Sequence, residues 1–135
     1  MTQAPLCPYC SRAALLTTGA VLYPGKPKLA ALYFWHCEPC AAWVGCHPAK
    51  KGAGRPVVRD RTIPLGTLAN ADLHRWRTTA HRVFDELWQS GAMSRSEAYL
   101  WMGRTLELRP GDCHIGSFDM VRCKALVEAV VAREG

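Results

Sequence analysis

Cys7-Pro8-Tyr9-Cys10 and Cys37-Glu38-Pro39-Cys40 are the stretches of sequence that decide the fold. Each is a C-x-x-C pair, and 26 residues lie between the two pairs. Four thiolates bind Zn²⁺ in a closed, tetrahedral structural site with bonds of about 2.3 Å. The separation is longer than the common 15 to 20 residues, and a longer hairpin accommodates it. The sequence therefore predicts a structural zinc site with Cys7, Cys10, Cys37 and Cys40 as its ligands.

Other chemistry can use the same residue types. A redox-active C-x-x-C pair or an iron–sulfur centre is the alternative, but two matched pairs around strand-forming sequence favour zinc. Cys46 and His47 follow the second pair closely, and either could replace one of the four ligands. His36 precedes Cys37 and is expected on the opposite face of the strand. The total of seven cysteines is odd and does not suit a closed disulfide framework.

The residues between the cysteine pairs predict a small β-module. Residues 15–23 and 29–37 favour strands, and 24–28, with two prolines and a glycine, favour a turn. A third short strand is predicted over 42–44. We therefore expect a zinc ribbon over residues 1–47, followed by a basic loop or linker, rich in proline and glycine, over 48–66.

Residues 67–135 are predicted to be helical. Apolar residues at helical spacing predict helices over 71–89, 95–106 and 120–133. Asn70, the capping box Ser94-x-x-Glu97, and Asp119 are suitable N-terminal caps. The predicted fold class is α+β, with the N-terminal zinc ribbon packed on a C-terminal three-helix region. The five tryptophans are expected to supply much of the core and of that junction: Trp35, Trp43, Trp76, Trp88 and Trp101.

The net charge of +6 is unevenly distributed. Residues 1–61 hold eight basic and two acidic side chains, whereas residues 62–135 hold nine of each. Four thiolates and one Zn²⁺ sum to −2, which leaves the first part near +4. Such asymmetry favours an anionic partner, first of all DNA or RNA. The candidate phosphate-binding residues are Lys26, Lys28, Lys50, Lys51, Arg55, Arg59 and Arg61.

A set of histidines and aspartates offers an alternative function. His81 and Asp85 are four residues apart and share a helix face with His74, and His114 and Asp119 precede the last helix. A metal-dependent nuclease would need ligands of this kind with an open coordination position, and its candidate residues are His47, His81, Asp85 and His114. No H-E-x-x-H spacing is present, and such pairs commonly hydrogen-bond to fix packing. We therefore expect a protein that is not an enzyme.

The sequence contains no run of about 18 apolar residues, which excludes an apolar membrane-spanning helix. The first five residues contain neither a basic nor an apolar segment of the kind found in secretory signals. We therefore expect a cytoplasmic protein that does not associate with membranes.

Several motifs along the chain carry a resemblance to a known family. Besides the two cysteine pairs they are Val44-Gly45-Cys46-His47, Pro64-Leu65-Gly66-Thr67-Leu68-Ala69, Ala80-His81, Phe84-Asp85, Trp88, Ser94-Arg95, Ala98-Tyr99, Trp101, His114-Ile115-Gly116 and Phe118-Asp119. With these motifs the sequence resembles small phage and prophage proteins that contain a zinc-finger domain. The resemblance implies a phage-derived protein that acts inside a bacterial host cell and holds Zn²⁺ at the four cysteines. It implies no reaction.

Two functions without catalysis follow from these features. The first is nucleic-acid binding through the basic loop. The second is a phage effector that binds and modulates a host protein, such as a nuclease, a polymerase or a defence component, with the basic loop docked on an acidic surface.

Overall fold

The structure is a computed structural model that describes residues 3–47 and 61–134. Lys50, Lys51, Arg55 and Arg59 lie outside these residues. The chain divides into two compact units, Met1–Ala71 and Asp72–Gly135. One unit contains the sheet and the other contains the long helices, so the predicted α+β class is confirmed. The predicted boundaries near residues 47 and 66, and the packing of ribbon on helices, stay predictions.

The first unit is built on a three-stranded antiparallel sheet. Its strands are β1 (Leu15–Thr18), β2 (Tyr33–Cys37) and β3 (Ala42–Gly45), in the order β1-β2-β3. Three aromatic residues in β2 explain its central place, because such side chains fit a pleated, half-buried surface. Trp35 pairs with Leu16 on one side and with Val44 on the other.

The first two strands are shorter than predicted. The strand expected over 15–23 ends at Thr18 and continues as a single helical turn, α1 (Gly19–Leu22), and the strand expected over 29–37 begins only at Tyr33. The ring of Tyr23 explains this, since it lies 5.5 Å from the ring of Phe34 and its hydroxyl accepts a hydrogen bond from Trp43 Nε1 at 2.7 Å. The chain therefore leaves the hydrogen-bonded ladder and packs against the sheet.

The other face of the sheet carries the core of this unit. The buried residues of this core are Cys7, Ala14, Trp35, Cys37, Ala42, Val44 and Leu68. Burial of these side chains removes apolar surface from water and so stabilises the sheet. Two of the four predicted zinc ligands, Cys7 and Cys37, therefore belong to this core, so the predicted metal site is part of the packed interior.

The chain that follows residue 60 returns to β3. His47 donates its backbone N–H to the carbonyl of Ile63 at 2.8 Å, and Leu65 donates to Gly45 at 2.9 Å. Trp43 and Ala69 exchange two backbone hydrogen bonds of 2.9 and 3.0 Å. The two described ends that flank residues 48–60 are thus held beside one another.

The second unit contains three long helices close to the predicted positions. They are α2 (Ala71–Gln89), α3 (Arg95–Thr105) and α4 (Met120–Glu134). The predicted capping box at the start of α3 is present, because Ser94 Oγ accepts from the N–H of Glu97 and Glu97 Oε1 accepts from the N–H of Ser94. Asp119 Oδ1 accepts from the N–H of Arg122 at 2.8 Å, as expected of a cap.

The helices bury an apolar core with one charged residue in it. Its largest fully buried side chains are Phe84, Met102, Ile115, Phe118, Leu126 and Val130. Arg77 of α2 is only 7% exposed, and its Nε donates to the carbonyl of Phe118 at 2.9 Å. Among the tryptophans, Trp35 is buried, and the other four are half-buried. The tryptophans were expected to supply much of the core, and Trp35 is the one that is fully part of it.

Candidate metal centre

The four cysteines are presented by two turns with the same backbone feature. In the first knuckle, residues 7–11, the N–H of Ser11 donates to the carbonyl of Cys7 at 2.8 Å. In the second knuckle, residues 37–41, the N–H of Ala41 donates to the carbonyl of Glu38 at 3.0 Å. Ser11 and Ala41 directly follow the second cysteine of their knuckle, and both have positive φ angles, of 63° and 50°. Each chain segment therefore turns sharply just behind its cysteine pair.

The knuckles bring the four sulfur atoms together. The Sγ atoms of Cys7, Cys10, Cys37 and Cys40 all lie within 4.8 Å of one another, and the Cys10 and Cys37 atoms are 3.6 Å apart. A tetrahedral zinc site with bonds of about 2.3 Å has sulfur–sulfur edges of about 3.8 Å. The cluster has the size and the soft donor set that suit one Zn²⁺ ion.

The thiols of the cluster influence one another's ionisation. The pKa of Cys10 is lowered to about 7, first because the backbone N–H of Arg12 stabilises its thiolate and then because neighbouring thiols donate to it. The pKa of Cys40 is raised to about 12 by its hydrogen bond to Cys10 and by burial. The thiolate of Cys10 is thus favoured, while the thiol of Cys40 stays protonated. A divalent cation allows all four thiols to ionise together, since it displaces their protons and neutralises the combined charge.

The other cysteines do not join the cluster. Cys46 is half-buried and packs against the core of the sheet unit. His36 pairs with Trp43 and Cys37 with Ala42, which places His36 on the face opposite the cysteine, as predicted. Cys113 and Cys123 are buried in the helical unit. The ligand alternatives based on Cys46 or His47 therefore have no support in the described geometry.

The histidines and the aspartate of the candidate nuclease site form no metal-binding group within the described residues. His81 and His114 are exposed, and Asp85 accepts a hydrogen bond from Trp88 Nε1 at 3.2 Å. Within residues 3–47 and 61–134, the four cysteines form the single group of three or more metal-binding side chains. The described geometry thus gives no support to the nuclease based on His47, His81, Asp85 and His114.

Three of the predicted phosphate-binding residues lie in the described part of the sheet unit. Lys26 and Lys28 are exposed in the connection between β1 and β2, and Lys26 Nζ lies 6.0 Å from the centre of the Tyr23 ring. The Arg61 guanidinium lies 5.3 Å from the centre of the Tyr33 ring. Sequence inspection did not indicate the contact of Arg61 with Tyr33, because it joins residues 28 positions apart in the chain.

None of the helices in the described residues has the length and apolar character needed to cross a membrane.

Comparison with known proteins agrees with the cysteine cluster. A family model described as a zinc-finger-containing domain matches residues 3–133. The searches of the curated proteins and of the solved structures returned no match. The family match extends over the sheet unit and the helical unit alike, whereas the phage origin implied by the earlier resemblance stays a prediction.

Proposed function

This chain belongs to the family of zinc-finger-containing domains, and from that premise we propose that it is a zinc-stabilised, non-catalytic nucleic-acid-binding protein. Cys7, Cys10, Cys37 and Cys40 hold the ion, and the sheet unit carries the binding surface. The proposal has two parts, a structural metal and an electrostatic surface, which are tested separately.

The metal part is supported by the donor set. Four cysteine ligands complete the coordination of a tetrahedral ion and leave no open position for water or substrate. The ion therefore acts structurally, by holding the two knuckles against the sheet. Elemental analysis of the purified protein tests this, and we expect one zinc ion per chain. A second bound metal would instead revive the histidine and aspartate set, and metal-free folded protein would overturn this part.

One observation carries the nucleic-acid part, namely that the whole net positive charge lies in the unit that holds the cysteine cluster. The residues up to Ala71 carry +6, which falls to about +4 with a zinc–thiolate centre, while the helical unit has nine basic and nine acidic residues. A surface with such a charge excess attracts phosphate backbones over distances near the Debye length.

The position of the basic segment adds to this support. His47 and Ile63 are joined by a backbone hydrogen bond, and Trp35 Nε1 donates to the carbonyl of Thr62 at 2.7 Å. The described residues on either side of the segment that contains Lys50, Lys51, Arg55 and Arg59 are therefore held beside one another in the sheet unit. We infer that the cations of this segment bind the same stretch of phosphates as Arg61.

Salt-dependent binding tests the nucleic-acid part. If five cations each neutralise one phosphate of duplex DNA, the logarithm of the association constant falls with the logarithm of salt concentration with a slope of about −4 to −5. Replacement of Lys50, Lys51, Arg55 and Arg59 by alanine should make the slope shallower by about 3 to 4. The matched control replaces four exposed arginines of the helical unit: Arg82, Arg104, Arg122 and Arg133.

The control variant should keep the slope of the wild type. Equal slopes for both variants would show that the charge of the sheet unit does not direct binding. Absence of binding to DNA and RNA at low salt would overturn this part and would favour an acidic surface of a host protein as the partner.

A further inference from the structure

A cavity of about 690 Å³ lies entirely within the helical unit. It runs along one face of α3 from Ser96 to Arg104, a length of about 12 Å. Its lining is mostly apolar and includes Tyr99, Leu100 and Leu108. Cavities of about 300 to 1,000 Å³ with apolar walls and a few polar groups are typical of small-ligand sites.

The end of α3 explains why this space stays open. The N–H of Leu108 donates to the carbonyl of Gly103 at 2.8 Å, and the N–H of Glu107 donates to Arg104 at 3.4 Å. This pair of hydrogen bonds is the Schellman arrangement, with Glu107 at the left-handed position (φ 56°) that glycine usually occupies. The chain then turns back, and Pro110 and Cys113 also line the cavity.

The apolar lining is in contact with water. Leu100 is 63% exposed at the rim of the cavity. Gly103 contributes no side chain to the floor, where a Cβ atom would lie 3.3 Å from Cys113 Sγ. An apolar chain that enters the cavity would therefore remove Leu100 from water without displacing a protein side chain.

Two opposite charges stand at one end of the cavity. Arg104 and Glu107 both line it and both are exposed. Within the described residues, neither side chain takes part in an ion pair, a side-chain hydrogen bond or a ring contact. A guanidinium and a carboxylate three residues apart are complementary to a ligand head group that carries a negative and a positive charge.

We propose that this cavity binds a zwitterionic amphiphile, whose apolar chain contacts Tyr99, Leu100 and Leu108 and whose head group lies between Arg104 and Glu107. The anionic part of the head group meets the guanidinium of Arg104, and the cationic part meets the carboxylate of Glu107. All residues that line the cavity belong to the helical unit, and the four clustered cysteines belong to the sheet unit.

Three probes with the same ten-carbon chain test the proposal by calorimetry below their micelle concentrations. They are decylphosphocholine, decanoate and decyltrimethylammonium, with zwitterionic, anionic and cationic head groups. We expect saturable binding with decylphosphocholine the tightest. Arg104→Gln should lower the affinity for decylphosphocholine and decanoate by roughly twofold to fivefold. Glu107→Gln should lower the affinity for decylphosphocholine and decyltrimethylammonium by a similar factor.

Leu100→Gln should lower the affinity for all three probes. The matched controls are Val131→Gln and Arg133→Gln, exposed positions of α4 outside the cavity, which should leave every affinity unchanged. Methyl resonances of Leu100 and Leu108 should shift on titration, which locates the ligand. The proposal is overturned if none of the probes saturates, or if each of the two variants, Arg104→Gln and Glu107→Gln, weakens the binding of decanoate and of decyltrimethylammonium by the same factor.

Discussion

Single residues behind each cysteine pair determine how the knuckles turn. Ser11 and Ala41 adopt φ angles of 63° and 50°, a region in which a Cβ atom is crowded by the backbone. The cost for a residue with a side chain is roughly 1 to 2 kcal/mol, whereas glycine avoids it at a smaller entropic cost. The fold therefore retains local strain at two equivalent positions, which the surrounding hydrogen bonds hold in place.

Ser11→Gly and Ala41→Gly should each raise the free energy of unfolding by about 0.5 to 1 kcal/mol, because glycine removes this strain. Denaturant titration of the zinc-loaded variants measures the change. Gly91 provides the reverse control, since its φ is 85° and nothing lies within 4 Å of a built Cβ. Gly91→Ala should lower the free energy by about 1 kcal/mol, and a gain in stability there would contradict the strain argument.

Burial of Cys123 makes stability depend on pH in the alkaline range. Burial raises the pKa of this thiol from its ordinary value of 9.0 to about 11. Between these values the unfolded chain has released the proton and the folded chain still holds it. The free energy of unfolding should therefore fall as pH rises from 9 to 11, by about 1.4 kcal/mol per pH unit.

The variant Cys123→Ala isolates this contribution. Its unfolding free energy should decline less steeply than that of the wild type across the same pH range, as measured by urea titration at each pH. The slopes of unfolding free energy against pH are compared, because the loss of the sulfur atom changes that free energy by the same amount at every pH. Parallel slopes would show that Cys123 ionises alike in the folded and the unfolded chain.

Residues differ in how far the sequence predicts their role. The four clustered cysteines could be predicted because two matched C-x-x-C pairs are typical of metal ligands. The burial of Arg77 could not be predicted, because a charged residue within an amphipathic helix is normally exposed. Its hydrogen bond to the carbonyl of Phe118 joins residues 41 positions apart in the chain. Glu107 also escaped sequence analysis, because glycine is the usual signal of a left-handed helix end.

At the scale of elements, the connection between β1 and β2 depends on one glycine. Gly19 is buried against Leu29, and a Cβ atom there would lie 1.9 Å from the carbonyl oxygen of Leu29. Its own N–H donates to the carbonyl of Leu32 at 2.9 Å. The close approach of these two backbone segments allows Tyr23 to reach Phe34.

Gly19→Ala should destabilise the protein by about 1 to 3 kcal/mol, because the contact is with backbone atoms that cannot rotate away. Gly25 lies in the same connection with nothing within 4 Å of a built Cβ. Gly25→Ala is the matched control, and we expect a change within about 0.5 kcal/mol in thermal or urea unfolding. Equal effects of the two substitutions would contradict this packing.

Helices were more predictable than strands, for a physical reason. The starts of α2 and α3 agree with the sequence because capping and apolar periodicity are local signals. The strand limits depend on contacts between distant residues, such as the hydrogen bond from Trp43 to Tyr23. Strand propensity in 15–23 and 29–37 is real, but tertiary packing ends β1 at Thr18 and delays β2 to Tyr33.

At the scale of the whole molecule, the two units have different sources of stability. The helical unit has a core of large side chains that includes Phe84 and Phe118, and the starts of α3 and α4 are capped by Ser94 and Asp119. The sheet unit has strands of four or five residues, and several of its buried residues are small. A unit of this size rarely gains enough stability from its core alone, and small natural domains often add a structural metal.

Loss of zinc should therefore unfold the sheet unit and leave the helical unit folded. Zinc binding to four cysteines contributes on the order of 10 kcal/mol, which exceeds what so small a sheet supplies. The variant Cys40→Ser should abolish zinc binding, and Cys46→Ser, at a half-buried cysteine outside the cluster, should retain it. Hydrogen exchange measures the result, since the amides of β2 should lose protection in Cys40→Ser while those of α4 keep it. Protected β2 amides in the metal-free variant would show that the sheet folds without the ion, and simultaneous loss in α4 would show that the two units unfold together.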